Sequence, residues 1–201
     1  TELRSALDLA RSIEGLAADI DGFSGRSSLG LTLDCTSEQL APTLDLFAEV
    51  LLRPGFDEEE LERERRETLA SLARREDRLG EKVFDLFLGA LYPSHPYRHP
   101  LRGLLESVQG FDTEKLAAYH GQLMQAENLV IGVAGDVDAD ELAAKLSGLL
   151  AEMPGGSFVA PAPLLDPPRR EPVRVELRKA REQAHLVIGF RGLTVRDEDR
   201  F

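Results

Sequence analysis

The sequence predicts an α+β protein from three patterns of apolar residues. Apolar side chains recur at helical spacing in several long stretches, beginning with Leu3, Leu7 and Ile13. Apolar and polar residues alternate over residues 29–35, which is typical of a half-buried strand. The continuous apolar run at residues 129–133 is typical of a buried strand. At 201 residues the chain is long enough to bury a sizeable core in one or two domains.

The overall composition argues against several classes of partner. The formal net charge of −12 disfavours binding to nucleic acid or to an anionic membrane surface. No apolar run is long enough to span a bilayer, and the N-terminus lacks the pattern of a signal peptide. Cys35 is the only cysteine, so it forms no internal disulfide, and its alternating apolar neighbours indicate an inert core residue. We expect a soluble protein of the cytoplasm or the periplasm.

The first fifty residues predict a helix, a turn, a strand and a second helix. The first helix extends to about Ala18, and Asp21-Gly22 turns the chain toward the strand. Thr36 and Gln39 then form a capping box, which marks the start of the second helix. The inward positions of that helix are Leu40, Leu44, Phe47, Ala48 and Leu51.

Residues 52–72 predict a helix end, a tight turn and a new helix. Pro54-Gly55 interrupts the helical pattern, and Asp57 with Glu60 three residues on is an N-terminal capping pattern. Glu64 and Ser71 lie seven residues apart on the new helix. Because seven residues make about two turns, these two side chains lie on nearly the same face.

The second half predicts further helices, a proline-rich loop and strands. Helices are expected over residues 83–91, after Asp112 and after Asp138, whose capping partner is Glu141. Three prolines in residues 92–100 are expected to exclude regular structure. After the strand at 129–133, further strands are expected at 173–177 and 183–190.

Several of these segments resemble the insulinase/pitrilysin family of zinc metallopeptidases, which includes the mitochondrial processing peptidase. The family's inverted motif is H-x-x-E-H, and active members carry a Leu-Glu-Arg-Glu-Arg helix with two glutamates spaced by seven. Leu61 to Arg65 match that helix. The other segments that resemble the family are Arg4-Ser5-Ala6, residues 21–26, His95-Pro96-Tyr97, residues 133–137 and Gln183-Ala184-His185.

The resemblance carries two site positions to this chain, and one of them is substituted. Glu64 takes the position of the glutamate that supports the site without touching the metal, and Ser71 takes the position of the glutamate that binds zinc. A zinc-bound carboxylate oxygen lies about 2.0–2.2 Å from the metal, whereas serine is neutral and too short to reach that point. H-x-x-E-H is also absent from all 201 residues. We therefore expect no catalytic residue and no metal ligand in this chain, with zinc held by the parent protein or its active half.

The resemblance implies a fold and a function. The implied fold is a mostly antiparallel sheet with helices packed on one face. The expected domains are residues 1–153, a Pro/Gly/Ala-rich linker at 154–170, and the first strands of a next domain at 171–201. The family builds clam-like chambers around peptides, so the partners expected are a peptide substrate and a second family domain, in the same chain or in a partner subunit.

The sequence is consistent with three hypotheses about function, and these differ on whether the chain is part of an enzyme. The first is a non-catalytic half of a peptidase that shapes the chamber and holds substrate. The second is a non-enzymatic subunit that binds peptide or pairs with an active chain. The third is an unrelated scaffold protein that shares only the order of helices and strands.

The remaining candidate residues each have a simpler structural interpretation. For Glu64 the simpler interpretation is an exposed helix charge paired with a neighbouring arginine, because glutamates are almost always solvated. His95 and His99 have the spacing of helical metal ligands, but the adjacent prolines forbid that helix. His120 is expected to be partly buried and hydrogen-bonded. His185 is expected either to line a substrate surface or to face solvent.

Overall fold

The computed structural model describes residues 1–156, 158–159, 162, 164, 166–167, 170–194 and 197–200. The fold in these ranges is α+β, rich in helix and with a small antiparallel sheet. The α-helices are α1 (Ala6–Gly15), α2 (Leu40–Leu52), α3 (Glu58–Glu76), α4 (Leu79–Leu91), α5 (Leu105–Gln109), α6 (Thr113–Leu123) and α7 (Ala139–Leu149). The strands are β1 (Asp19–Ser24) and β2 (Leu29–Asp34). Short 3₁₀ turns lie at Ser37–Gln39, Pro96–Arg98, Ala126–Asn128 and Glu198–Arg200.

The chain divides into two compact units, of which the first comprises Thr1–Glu62 and Phe111–Ala160. Its core centres on α2, which supplies most of the buried apolar side chains of this unit. Thr43, on the same helix, is completely buried, and its hydroxyl donates to the carbonyl of Gln39 at 2.6 Å, so no polar atom is left unpaired there. The buried apolar residues are Leu44, Leu46, Ala48, Leu51, Leu142 and Met153.

The two strands of the first unit form an antiparallel hairpin. The register runs from Asp19 opposite Asp34 to Ser24 opposite Leu29. The predicted turn at Asp21-Gly22 is wrong, because both residues belong to β1 and pair across the hairpin. The reversal lies instead between Ser24 and Leu29. The alternating pattern over residues 29–35 predicted only β2, so β1 was not predicted.

The second unit comprises Arg63–Gly110 and Pro161–Phe201. Arg65 on α3 reaches the C-terminal end of α5, where it donates to the carbonyls of Val108 at 2.7 Å and Gln109 at 3.1 Å. Arg75, further along α3, pairs with Asp85 of α4 at 2.7 Å. These contacts join α3 to both of its helical neighbours in this unit.

Residues 183–191 run along α4 within the second unit. Gly189 lies directly against the ring of Phe87, so a Cβ added there would be 2.6 Å from Cζ of that ring. Arg191 donates to the carbonyl of Leu91 at 2.9 Å, at the C-terminal end of α4. A cation at that end of a helix satisfies a free carbonyl and complements the helix dipole.

The helices expected from the sequence are confirmed, with adjustments to the first two. The predicted capping box of Thr36 and Gln39 is wrong, because neither side chain makes a capping hydrogen bond and α2 begins at Leu40 after a 3₁₀ turn. Helix α1 begins at Ala6, where the Ser5 hydroxyl accepts from the N–H of Asp8, and it ends at Gly15 rather than near Ala18. Leu3 therefore precedes the helix, and both Leu3 and Leu7 are more than half exposed.

Three predicted strands are wrong. Residues 129–133, 173–177 and 183–190 have irregular backbone, and most of their apolar side chains are exposed, with Val130 92% and Ile188 85% exposed. A strand persists only through hydrogen bonds to a neighbouring strand. Among the described residues, only β1 and β2 pair in this way. The first and third of these segments share the sequence Leu-Val-Ile-Gly.

The division into residues 1–153, a linker at 154–170 and a next domain at 171–201 stays a prediction. Within the linker range, residues 157, 160, 161, 163, 165, 168 and 169 lie outside the described residues, and the described ones are in neither helix nor strand. No helix in the described ranges is long and apolar enough to cross a membrane.

Candidate functional site

Helix α3 carries both positions that the sequence singled out. Asp57 caps it, and one carboxylate oxygen accepts from the N–H groups of Glu59 at 2.9 Å and Glu60 at 3.1 Å. The helix then continues without a break to Glu76. Positions 64 and 71 therefore lie on nearly the same face, as the spacing predicted.

Glu64 is a solvent-facing residue of α3. Its side chain is 60% exposed and pairs with the neighbouring Arg63 at 3.1 Å. An exposed pair of this kind contributes little to stability. The geometry is that of a surface helix charge, and a supporting role for Glu64 in a metal site stays a prediction.

Ser71 is half-buried, and its hydroxyl is engaged by an arginine. Arg102 donates from Nη1 to Ser71 Oγ at 2.7 Å. Arg102 lies in a tight turn closed by the N–H of Gly103, which donates to the carbonyl of Pro100 at 3.0 Å. Gly103 has φ +81°, a left-handed conformation that favours glycine. The Pro-Leu-Arg-Gly sequence thus builds the turn that presents Arg102 to Ser71.

The surroundings of Ser71 are rich in arginine. Arg78 donates to Glu81 at 2.9 Å, and this hydrogen bond does most to lower the pKa of the Glu81 carboxyl. Partial burial raises that pKa, but the positive charges of Arg78, Arg75 and Arg102 add to the lowering. Arg102 is therefore close enough to Glu81 to act on it through its charge.

The proline-rich loop is ordered by a carboxylate that sequence reasoning missed. Asp166 has a side chain only 2% exposed, and it accepts from the backbone N–H groups of Ser94 at 2.8 Å and His95 at 3.0 Å. Arg191 approaches Asp166 Oδ2 at 3.8 Å. Burial raises the pKa of Asp166, but the hydrogen bonds and the charge of Arg191 outweigh it and hold the pKa below its ordinary value. The available signal was a lone acidic residue in the Pro/Ala-rich stretch of residues 153–170.

The histidines of the proline-rich loop have structural contacts. His95 Nδ1 accepts from the N–H of Tyr97 at 3.1 Å, and its ring packs edge-on against the ring of Tyr97 at 4.5 Å. The expectation of no regular structure is wrong at Pro96–Arg98, which form a turn of 3₁₀ helix with proline at its start. Proline is tolerated there because the first N–H of a helix has no intrahelical acceptor.

The other singled-out residues lie in ordinary environments. His120 is partly buried, and its Nε2 lies 2.9 Å from the carbonyl oxygen of Leu51, which confirms the expectation for this residue. His185 is exposed and lines an open cavity of about 540 Å³ with Asp77 and Arg181. Cys35 is half-buried, directly after β2.

Two family models match nearly the whole chain between them. The model of insulinase (peptidase family M16) matches residues 1–103, and that of the peptidase M16 inactive domain matches residues 110–201. The chain belongs to the insulinase family. It contains parts of both types of domain that the two models describe.

Two bacterial proteins named as uncharacterised zinc proteases are similar along almost the full chain. An uncharacterised zinc protease of Mycobacterium leprae is 28% identical over 198 residues, which cover 95% of this chain and 43% of the relative. The uncharacterised zinc protease YmxG of Bacillus subtilis is 28% identical over 200 residues, covering 98% of this chain and 47% of the relative. The chain thus spans less than half the length of these relatives.

Solved structures agree with this assignment. A peptidase M16 inactive domain from Pseudomonas fluorescens superposes with a TM-score of 0.73 at 27% identity, covering 79% of this chain and 39% of that one. A protease from Helicobacter pylori superposes with a TM-score of 0.71 at 17% identity, covering 80% and 39%, and supports the fold alone.

The residues of this insulinase-family chain do not fit a zinc ion at position 71. Among the described residues, no group of three or more His, Cys, Asp or Glu side chains could hold a metal ion. A serine hydroxyl supplies no negative charge, and the group that it contacts is a guanidinium, which carries a permanent positive charge. A zinc dication at position 71 would lie beside the Arg102 guanidinium, and the two positive charges would repel each other.

Proposed function

We propose that this chain is a non-catalytic part of an insulinase-family peptidase, in which it forms part of the wall of a peptide-binding chamber. The observation that supports the proposal is the contact of Arg102 with Ser71, the position at which the family resemblance implies a zinc-binding glutamate. The absence of H-x-x-E-H from the 201 residues supports it as well. The names of the relatives from Mycobacterium leprae and Bacillus subtilis support zinc-dependent proteolysis as the activity of the parent protein.

The mature form of the parent protein is the material for the test. Hydrolysis of an unstructured fluorogenic peptide would be followed with and without a zinc chelator, and binding of the same peptide, labelled but made uncleavable, would be followed by fluorescence anisotropy. We expect chelator-sensitive cleavage that is unchanged within about twofold in Ser71→Ala, because a hydroxyl occupied by Arg102 takes no part in the reaction.

The alternative function is a non-enzymatic subunit that binds peptide or pairs with an active chain. It is favoured by the match of residues 110–201 to a domain described as inactive. Peptide binding without cleavage would support this alternative over a peptidase half. A protein that neither cleaves nor binds the peptide would refute both, and a loss of cleavage of tenfold or more in Ser71→Ala, with binding retained, would give Ser71 a catalytic role.

A further inference from the structure

The contact between Ser71 and Arg102 has a consequence for the chemistry that this position can support. Arg102 belongs to a turn whose shape is set by Pro100 and by the positive φ of Gly103. The backbone that carries the guanidinium is therefore constrained by local sequence. The contact of 2.7 Å joins that turn to the C-terminal half of α3, across 31 residues of chain.

The charges nearby favour an anion over a cation at this position. Arg75, Arg78 and Arg102 all act on Glu81, and Arg75 is shared between Glu81 at 3.3 Å and Asp85 at 2.7 Å. Arg75 acts in addition on Glu76, which also pairs with Lys82. Because the guanidinium of Arg102 lies against the Ser71 hydroxyl, a carboxylate placed there would be attracted and a metal ion repelled.

We infer that Arg102 is the charge partner of any carboxylate at position 71. A glutamate restored there would form an ion pair within the chain and would not form a metal site. Ser71 and Arg102 form a polar link between α3 and the turn at residues 100–103. A glutamate at position 71 keeps the link and strengthens it, because an arginine–carboxylate contact is stronger than an arginine–hydroxyl contact.

Four variants of the parent protein test this inference: Ser71→Glu, Arg102→Ala, the double variant, and Ala70→Glu as a matched control. Ala70 is the exposed residue before Ser71 on α3. A glutamate at position 70 lies four residues from both Arg66 and Arg74, so it gains helix-neighbour pairs of its own. Ala70→Glu therefore controls only for zinc uptake by an added surface carboxylate. The contact with Arg102 is isolated by comparing the effect of Ser71→Glu with and without Arg102→Ala.

The measurements are the midpoint of thermal unfolding and the zinc content by elemental analysis after dialysis against a micromolar zinc buffer. We expect Ser71→Glu to raise the unfolding midpoint by up to about 2 °C when Arg102 is present, the range for a partly exposed ion pair in a protein whose relatives are more than twice as long as this chain. The gain should disappear in the Arg102→Ala background and should shrink in high salt, because screening weakens exposed pairs. Zinc content should equal that of the unmodified protein in every variant.

The inference is overturned if Ser71→Glu takes up an additional equivalent of zinc. It is overturned equally if Ser71→Glu changes the unfolding midpoint by the same amount with and without Arg102. Neither measurement depends on peptide binding or cleavage, so this inference and the proposed function can fail separately.

Discussion

Replacing Arg65 with alanine tests how α3 is held in the second unit. The guanidinium of Arg65 donates to two carbonyls at the end of α5, those of Val108 at 2.7 Å and Gln109 at 3.1 Å. Val108 is also the buried apolar residue of that helix, at 8% exposure. The change therefore removes a charged donor from two carbonyls beside a small core.

The expected cost follows from the strength and exposure of these contacts. A hydrogen bond from a charged group contributes about 1.5–3 kcal/mol, and one that is accessible to water contributes less. With one partly buried and one exposed contact, we expect Arg65→Ala to lower the free energy of unfolding by about 2 kcal/mol. In a chain of this size that corresponds to a fall of about 4–8 °C in the unfolding midpoint.

Denaturant unfolding followed by circular dichroism measures this effect, and Arg66→Ala is the matched control. Arg66 is the next residue of α3 and is exposed, so its removal should change stability by less than about 0.5 kcal/mol. Arg65→Lys should fall between the two, because an ammonium keeps the charge but lacks the planar fork that reaches two acceptors. Equal stability of Arg65→Ala and Arg66→Ala would refute the reasoning.

Two further predictions concern the second unit. Gly189→Ala should lower the free energy of unfolding by about 1–2 kcal/mol, because its Cβ would lie 2.6 Å from the ring of Phe87. Gly192→Ala is the control and should be neutral, because the space around Gly192 is open. Equal melting curves for the two variants would show that this packing does not exist. Asp166→Asn should loosen the loop around His95, visible as faster hydrogen exchange there. The N–H groups of Ser94 and His95 donate to different oxygens of the carboxylate, and the NH₂ that replaces one oxygen in asparagine cannot accept. Since folding lowers the pKa of Asp166, the stability that its carboxylate contributes is complete at neutral pH and is lost as the pH falls below the ordinary value of 3.8. The difference in unfolding free energy between the unmodified protein and Asp166→Asn should therefore narrow in that range. A difference that is independent of pH would contradict the role given to the Asp166 carboxylate.

Helices were predicted well because their signals are local. Asp57 and Asp138 each accept from the N–H groups two and three residues further on. Four consecutive residues therefore define the start of each helix. The strands failed for the opposite reason. The run at residues 129–133 has the composition of a strand, but a strand also needs a partner elsewhere in the chain, and composition does not supply one.

The candidate site shows the same contrast between local signals, which the sequence contains, and contacts between distant residues, which it does not mark. Position 71 was identified by the resemblance of one helix to the family's Leu-Glu-Arg-Glu-Arg helix, whereas its partner Arg102 is 31 residues away and Asp166 is 72 residues from Ser94. Such contacts depend on how turns fold back on helices. No single-sequence pattern marks an arginine in a tight turn, or an aspartate between prolines, as the partner of a distant polar group.

The exposed Leu-Val-Ile-Gly segments affect the colloidal behaviour of the chain. Each is short, uncharged and rich in β-branched residues, the composition of segments that stack into cross-β aggregates. Because the two copies are identical, a segment of one molecule can pair in register with either segment of another. The net charge of −12 opposes that encounter at neutral pH, and near the isoelectric point of about 4.8 the repulsion vanishes. Mild acid should therefore precipitate this chain well before it titrates the buried carboxylate that orders its proline-rich loop.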